Sequence, residues 1–557
     1  MASVLLATAT ATARPQLLLE PFDIVLHLQP ADNDGAALEQ VFWQVSDPRH
    51  AQYARYRSRN DLRALLGASN TTLAAATDWL RSLGAQAVAA SPLHHTLTGS
   101  FAAGVPHAHR WSARGLPTAA RPAGIALVTR RTAGVQPDTP APPAVVGRAD
   151  LGSYTIKKMK AAFGIPDDLT CTHEATTQMV WGPGTFGYSP SRLAAFKSSE
   201  CPLLNLSKVQ FDTANHGRPG GDNFGEGELD TRMTAAFGLN ATTLVSNTNA
   251  SSSTEEGDGF GLAFLDFVTD LAARDTVPHV LSLSLGSLSA FSCDLLCEKA
   301  AAEEGVTKES CEAYLQTQRQ VCMFTSVAQV GAINRALQAL GLRGVSVLGA
   351  SGDGGSHWSF GPFPGIGPVA RALNKVGCES MFPIFPSPSP YMTSVGGSDW
   401  AGFPPDPTRP VAWSGSGGGF AWQFPRPAHQ AAAVDAYLAS TAGLPPASSF
   451  NATGAAYPDI AAVSVEGTSQ SSPMFAGIFT LLTDARLNAG LPPLGFLGPR
   501  IWQVAAAHPG EAFEDITEGN SKTSCDNGFP ATTGWDPVTG WGRPVWSGLA
   551  KHFAAAP

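Results

Sequence analysis

The stretch "GVSVLGASGD" occupies residues 344–353 and decides the fold that we predict. It is a short apolar run that ends in small residues and an aspartate. Two other runs share this pattern, "VPHVLSLSLG" (277–286) and "YMTSVGG" (391–397), and helical stretches at 260–275 and 326–342 stand before or between the runs. Buried strands that alternate with helices predict an α/β fold with a parallel sheet covered by helices on both faces. In such sheets the chemistry collects at the carboxyl ends of the strands.

The first 133 residues show a different pattern. Residues 20–29 alternate like a strand, helical spacing follows at 35–47 and 71–84, and residues 85–91 and 95–103 resemble further strands. This order predicts a small α+β domain. The stretch "GVQPDTPAPPAVVGRAD" is rich in proline and small residues, which is typical of an extended linker. We therefore expect four segments: a weak signal-like leader at 1–18, the small domain at 19–133, the linker at 134–150 and the large domain at 151–557.

Composition excludes some classes of protein. Hydrophobic residues make up 43% of the 557 residues, which is enough for a large core. The net charge is −9 and no run of lysine or arginine occurs, so we expect no nucleic-acid partner. No segment approaches the roughly 20 apolar residues of a membrane span.

The eight cysteines all lie after residue 170. An even number suits disulfides in a secreted or lumenal protein, and five N-x-[ST] sequons favour the same route. Four of the cysteines lie within residues 291–324, which we interpret as a helical excursion stapled by disulfides.

The stretch "VEGTSQSSPMFAG" (465–477) contains the candidate nucleophile. A turn built on Gly467 would expose the hydroxyl of Ser469, and a buried helix would follow, with Pro473 in its first turn. A plain loop that leads into a helix is the alternative interpretation. Since a serine hydroxyl is a poor nucleophile by itself, a base must take its proton.

The candidate base is a pair of carboxylates. His216 is the only tempting histidine, but it lies in a Gly/Pro-rich loop and we interpret it as a surface residue. Glu226 and Asp230 are four residues apart on a predicted helix, hence on one face. Two adjacent carboxyls share a proton and give a base suited to acidic solution. Glu228 lies off that face and is expected to be solvated, and an ordinary solvated helix remains the alternative for the pair.

Asp353 follows a predicted buried strand and has a glycine on either side. A carboxyl that stays neutral at acid pH can donate a hydrogen bond to a developing oxyanion. A turn-forming aspartate in an Asp-Gly pair is the alternative interpretation.

Together these elements resemble the sedolisins, the serine-carboxyl peptidases. The resemblance covers nearly the whole chain and rests on motifs in order: "VSDPRHAQYARY" (45–56), "PHVLSLSLG" (278–286), "ASGDGG" (350–355), "FPSPSPYMTSVGG" (385–397), "SGSGGGF" (414–420), "FNATGAAYPDIAA" (450–462), "GLPPLGFLGPR" (490–500) and "GWDPVTGWGRP" (534–544). It implies a subtilisin-like fold preceded by a removable, ferredoxin-like prodomain that acts as an intramolecular inhibitor.

The resemblance also implies roles for residues. Ser469 is similar to the family nucleophile, Glu226 to the general base, Asp230 to the acid that supports it, and Asp353 to the oxyanion residue. Strand edges for the substrate backbone would come from Ser284, Leu285, Gly286, Gly417, Gly418 and Gly419. One structural Ca²⁺ would be held by Asp515, Ile516, Thr532, Gly534 and Asp536. Cys378 and Cys525 would pair.

The activity so implied is that of an acid-active peptidase, made as a zymogen, that releases tripeptides from free N-termini of polypeptides in a lysosome, in a vacuole or outside the cell. An endopeptidase of the same family is the nearest alternative. An inactive relative that binds proteins is a third, since only residues 463–466 separate "PDIAA" from Gly467, fewer than in the family, which puts the strand that presents Ser469 in question. Glu466 and Gln470 also replace the small residues usual there.

Overall fold

The structure is a computed structural model, and it describes a large part of the chain in twelve stretches: residues 20–32, 35–103, 116–117, 119–132, 154–213, 225–248, 252–253, 260–318, 321–357, 363–465, 467–523 and 525–555. The predicted leader, the whole of the predicted linker, His216 and Glu466 lie outside these residues.

A small N-terminal unit, residues 20–132, is built on an antiparallel sheet in the order β2-β3-β1-β4-β8. The order β2-β3-β1-β4 is the one expected of a ferredoxin-like arrangement. Its elements are β1 Phe22–Leu28, α1 Ala36–Ser46, α2 Arg59–Leu66, α3 Asn70–Ser82, β2 Ala87–Ala90, β3 Thr96–Phe101 and β4 Ile125–Thr132, and β8 Ser252–Ser253 joins from the larger part of the chain. The sequence pattern missed α2, which begins at a capping box formed by Ser58 and Asp61.

The large unit contains an eight-stranded sheet in the order β12-β11-β10-β9-β5-β7-β6, with β15 also paired to β11. All pairs are parallel except that of β12 with β11. The strands of the large sheet are β5 Thr177–Pro183, β6 Val209–Phe211, β7 Thr242–Thr248, β9 Val280–Leu283, β10 Ser346–Ala350, β11 Thr393–Ala401, β12 Asp406–Ala412 and β15 Ile460–Val463. Two small sheets are formed by β13 Gly419–Pro425 with β14 Gly454–Tyr457 and by β16 Phe513–Glu514 with β17 Arg543–Pro544.

Helices cover this sheet. They are α4 Ile156–Ala162, α5 Pro190–Ser199, α6 Gly225–Phe237, α7 Phe260–Ala273, α8 Ala290–Glu304, α9 Lys308–Thr317, α10 Val327–Leu342, α11 Pro368–Glu379, α12 Ala431–Ser440, α13 Thr468–Asn488, α14 Gly498–Ala507 and α15 Trp546–Leu549. Strands β9 and β15 are buried along their whole length, and β10 along all but its last residue, as a parallel sheet between helix layers requires. The predicted α/β class, with its parallel sheet and small leading domain, is confirmed.

The N-terminal unit packs directly on the large unit. One hydrophobic core contains Leu38 and Phe42 of α1 together with residues of α7 and α10. Polar contacts surround this shared core. Glu39 accepts a hydrogen bond from the Tyr391 hydroxyl at 2.7 Å, and Arg131 forms an ion pair with Asp266. The two units are therefore joined by both apolar burial and paired charges.

Disulfides staple the excursion as predicted. Cys293 pairs with Cys322 and Cys297 with Cys311, so that α8 is tied both to α9 and to the segment that follows α9. Cys378 pairs with Cys525, the bridge that the family resemblance implied. The other two cysteines, Cys171 and Cys201, are buried thiols. Among the described residues, no helix has both the length and the apolar character needed to cross a membrane.

Candidate active site

Three parallel strands deliver the candidate residues to one edge of the large sheet. Strand β9 ends immediately before Ser284, β10 ends three residues before Asp353, and β15 leads through a short turn to Ser469. Since the carboxyl ends of parallel strands meet at the same edge, residues distant in sequence come together there.

The strand that precedes the candidate nucleophile is present. Strand β15 pairs in parallel with β11, and α13 begins at Thr468, five residues after the strand ends. Gly467 has a φ of +89°, a backbone conformation that residues with a Cβ rarely adopt. The side chain of Gln470 braces the turn, because its Oε1 accepts a hydrogen bond from the Val465 amide at 2.8 Å. The short segment therefore still presents Ser469 at the start of a buried helix.

The Ser469 hydroxyl is connected to Asp230 through one residue. Ser469 Oγ donates a hydrogen bond to the Ser284 carbonyl oxygen at 3.2 Å, and Ser284 Oγ donates one to Asp230 Oδ1 at 2.8 Å. Asp230 is completely buried. Its second oxygen, Oδ2, has no hydrogen-bond partner among the described residues.

Helix α6 carries the paired acids on one face, as predicted, and packs against α13. Glu226 is half-buried. Burial raises the pKa of Asp230 well above its ordinary value, and the charge of Glu226 raises it further, whereas the hydrogen bond from Ser284 acts in the opposite direction. A carboxyl with a raised pKa next to a second carboxyl is typical of a pair that shares one proton.

Glu228 was expected to be solvated, and this expectation is wrong. It is only 6% exposed, forms an ion pair with Arg232 and accepts a hydrogen bond from the Ser189 amide at 3.2 Å. These contacts hold the start of α5 against α6.

Asp353 lies against the N-terminus of α13. Its Oδ1 accepts hydrogen bonds from the Thr468 amide at 2.7 Å and from the Thr468 hydroxyl at 2.8 Å. A Cβ on Gly467 would collide with Oδ2 of the same carboxyl. Desolvation raises the pKa of Asp353, although the bonds from Thr468 oppose this. With Oδ1 occupied as an acceptor, Oδ2 is the oxygen available to carry a proton.

The predicted substrate segments flank these groups. Ser284, Leu285 and Gly286 directly follow β9, and next to them Ser287 exchanges two backbone hydrogen bonds with Phe385 at 2.8 Å each. In the second segment the Gly417 amide donates to the Gly352 carbonyl at 2.8 Å. A side chain at Gly417 or Gly418 would collide with the backbone of Ser351 or Pro537. This close approach of the backbones explains why positions 417 and 418 are glycines. Gly419 is the first residue of β13.

The predicted calcium ligands form a second cluster at the C-terminal loops. Asp536 is fully buried, and its pKa is raised to about 7, chiefly by burial, with a contribution from Asp515. Asp515 Oδ2 accepts from the Gly534 amide at 2.7 Å, whereas Oδ1 is buried without a hydrogen-bond partner among the described residues. Two neighbouring carboxyls with an unpaired oxygen fit a hard cation, which takes oxygen ligands. The Thr532 amide donates to Asp536 Oδ2 at 3.0 Å and the Ile516 carbonyl oxygen accepts from the Thr539 hydroxyl at 3.5 Å, so both residues lie beside these acids.

Two features were not predictable from the local sequence. Pro473 lies inside α13 and not in its first turn, because the helix begins at Thr468. The side chains of Thr468 and Ser284 contact candidate catalytic acids, but an isolated threonine or serine gives no sequence signal of such a role.

Comparisons with known proteins support the resemblance. Residues 8–104 match the model of the Pro-kumamolisin activation domain. Tripeptidyl-peptidase 1 of Homo sapiens is 33% identical over 349 residues, which cover 58% of this chain and 51% of that protein. The Bos taurus protein of the same name is 41% identical over 240 residues, 39% of each.

The chain thus spans about half the length of the human relative that it matches. Among solved structures, Pseudomonas sedolisin, a serine-carboxyl proteinase, aligns with a TM-score of 0.48 at 20% identity, over 71% of this chain and 96% of that one. The activation-domain match and these relatives show that the chain contains a region similar to the Pro-kumamolisin activation domain and is similar to tripeptidyl-peptidase 1.

Proposed function

We propose that this protein is an acid-active serine-carboxyl peptidase, made as a zymogen, that releases tripeptides from free N-termini of polypeptides. The observation that carries the proposal is the hydrogen-bonded path from the Ser469 hydroxyl through Ser284 to the buried acid Asp230. A nucleophile beside a proton-sharing pair of carboxyls needs no imidazole, and such a base functions in solution where histidine is already protonated.

In the proposed acylation step, Ser469 Oγ attacks the carbonyl carbon of the scissile bond and Glu226 accepts its proton. Asp230 supports the negative charge of Glu226. The Ser469 amide, which has no acceptor within the first turn of α13, and the neutral Asp353 carboxyl donate hydrogen bonds to the oxyanion. The C–N bond then breaks, and Glu226 returns the proton to the leaving amine. An acyl-enzyme on Ser469 remains, with the leaving peptide released.

Deacylation follows the same path in reverse. Glu226 takes a proton from a water molecule, the resulting hydroxide equivalent attacks the acyl carbon, and Ser469 Oγ leaves with the proton returned by Glu226. The substrate backbone would pair with the segments Ser284–Gly286 and Gly417–Gly419 as an added strand.

The bound calcium ion that we propose would be held by carboxylates of Asp515 and Asp536 and by carbonyl oxygens of Ile516, Thr532 and Gly534. It would supply no chemistry to the reaction. Its contribution would be to hold two C-terminal loops together.

We further propose that the N-terminal domain inhibits the peptidase until acidification, and that the protein acts in a lysosome, in a vacuole or outside the cell. The shared core between α1 and the helices α7 and α10 supports a stable zymogen. Peptide substrates and this domain are the proposed partners.

The test begins with incubation of the purified chain at pH ~4. Wild type is expected to lose the N-terminal domain, whereas Ser469→Ala and Glu226→Gln are expected to stay intact. A mass-spectrometric digest of a long peptide then separates the alternatives: successive tripeptides indicate the exopeptidase, and internal cuts indicate an endopeptidase. If wild type neither matures nor cleaves any peptide, the inactive binding protein becomes the better account.

A further inference from the structure

We propose that Ser284 is a positioning residue, which orients Asp230 for its partner Glu226 and holds the hydroxyl of Ser469 in place. This inference rests on the proposed peptidase function. It concerns the side chain of Ser284, in addition to the backbone pairing proposed for the same residue.

Ser284 is bonded to two of the four candidate catalytic residues through different atoms. Its hydroxyl donates to Asp230 Oδ1 at 2.8 Å, and its carbonyl oxygen accepts from Ser469 Oγ at 3.2 Å. The residue is 7% exposed and directly follows β9, so its backbone is held by the parallel sheet. A group fixed in this way determines where its two partners lie.

The bond from Ser284 makes the two oxygens of Asp230 unequal. Oδ1 accepts the Ser284 hydroxyl, whereas Oδ2 is buried without a hydrogen-bond partner among the described residues. Glu226 is the charged group that acts on Asp230. The occupied oxygen is favoured as an acceptor, so the proton that the pair shares is directed to Oδ2.

Pro473 explains a further contact of Ser284, the one with the carbonyl oxygen of Ser469. A proline has no amide hydrogen, so the carbonyl of Ser469, four residues earlier in α13, receives no helical hydrogen bond from it. Ser284 Oγ lies 3.5 Å from that carbonyl oxygen. The proline therefore leaves the Ser469 carbonyl oxygen without its helical donor, and the Ser284 hydroxyl lies next to that oxygen.

The expected effect follows from the sign of the interaction. A donor to Asp230 favours the ionised form of the pair, and the hydrogen bond from Ser284 lowers the pKa of Asp230 accordingly. Removing the hydroxyl raises the pKa of the pair. The fraction of enzyme with an ionised base then falls at low pH, and the acid limb of the kcat/KM profile moves to higher pH.

The experiment compares Ser284→Ala with Ser282→Ala in the mature enzyme. Ser282 lies on β9, the strand that Ser284 follows, and is also buried. Its Oγ lies 2.9 Å from Ser472 Oγ in α13, but that bond involves no carboxyl. We expect Ser284→Ala to move the acid limb upward by about one pH unit. Ser282→Ala is expected to keep the wild-type limb, and Ser284→Thr, which retains a hydroxyl, to restore it.

An unshifted limb in Ser284→Ala, or an equal shift in Ser282→Ala, overturns the proposal while the peptidase function stands. If wild type has no activity at all, the proposed function has failed instead. The positioning role is then decided by infrared titration of the carboxyl band in Ser469→Ala and Ser469→Ala/Ser284→Ala. A higher midpoint in the double variant supports the role, and equal midpoints reject it.

Discussion

Asp353 Oδ1 accepts two hydrogen bonds from Thr468, one from the amide at 2.7 Å and one from the hydroxyl at 2.8 Å. This relationship links the carboxyl end of β10 to the N-terminus of the helix that carries Ser469. The carboxyl is thereby held with one oxygen occupied, and only the other is free to donate a proton to an oxyanion.

The first prediction concerns Asp353 itself. Asp353→Ala removes one oxyanion donor and should lower kcat by about a hundredfold or more. Asp353→Asn should lose much less, because the amide oxygen accepts from Thr468 while the amide nitrogen donates in place of Oδ2. The measurement is kcat on a tripeptide-amide substrate at acid pH.

The two variants should also differ in their pH dependence. The Asp353 carboxyl donates only while it is protonated, so activity that depends on it falls as the pH rises through its raised pKa. An asparagine is neutral at every pH, and any alkaline loss due to Asp353 should disappear in Asp353→Asn. Equal losses for the alanine and asparagine variants would remove Asp353 from the oxyanion site.

A second prediction concerns Gly467, whose φ of +89° and ψ of 174° fall in a region that essentially only glycine adopts. Gly467→Ala forces a strained backbone and places a methyl group against Asp353 Oδ2. We expect a destabilisation of about 1–3 kcal/mol and a loss of kcat similar to that of Asp353→Ala. Thermal unfolding and turnover are measured together. As a control, Gly490→Ala also places a methyl at a positive φ, but in open space, and should keep its turnover.

A third prediction concerns calcium. Chelation should lower the Tm of the wild-type protein by roughly 5 °C, because an ion bound only to the folded state stabilises it by mass action. Asp536→Asn removes one carboxylate and should lower the Tm without a chelator. Added chelator should then cause little further change in this variant. A wild-type Tm indifferent to both chelator and added Ca²⁺ would contradict the proposed ion.

A fourth prediction concerns two histidines where the N-terminal domain meets the large unit. His27 and His95 line a cavity with Thr269 and Arg335, and His27 Nε2 is buried without a hydrogen-bond partner among the described residues. Burial lowers the pKa of His27 from 6.5 to about 3 and that of His95 to about 4. Asp266 favours the charged form of His27, and the Thr269 backbone favours that of His95. The charges of Arg131, Arg335 and His95 oppose protonation of His27, and that of Arg335 opposes protonation of His95.

The change of stability with pH follows from the difference in proton uptake between the folded and the unfolded protein. Both rings are neutral in the folded protein, whereas exposed rings take up protons below pH 6.5, so stability is fully present above that pH and is lost as the pH falls. At pH 4.5, two units lower, each ring should cost about 2.7 kcal/mol. The contact between the two units should therefore weaken on acidification, which is the condition proposed for activation.

The measurement uses Ser469→Ala, which keeps the chain intact, and follows the urea midpoint from pH 6.5 to pH 4.5. Adding His27→Gln and His95→Gln should flatten the decline, because glutamine does not titrate. Adding His50→Gln on the exposed surface of the same domain should leave the decline unchanged. If the double substitution left the slope as steep as in the parent, the acid sensitivity would have another source.

The sequence by itself determined much of this protein. Alternating, helical and continuous apolar patterns predicted β1, α1, α3, β9, β10 and α10, because the buried faces of these elements are visible in the spacing of apolar residues. The motif around Ser469, the four-residue spacing of Glu226 and Asp230, and the position of Asp353 after a buried strand located the candidate site, because the edge of a parallel sheet gathers strand ends.

Only the tertiary structure decided which side chains connect these residues. Ser284 and Thr468 contact acids that lie 54 and 115 residues away in the chain, and no local pattern encodes such a contact. The burial of Glu228 depends on Arg232 and the start of α5, and that of His27 on helices of another unit. Periodicity indicates which face of an element is apolar. The partners of buried polar groups depend on how distant elements pack together, so only the tertiary structure shows them.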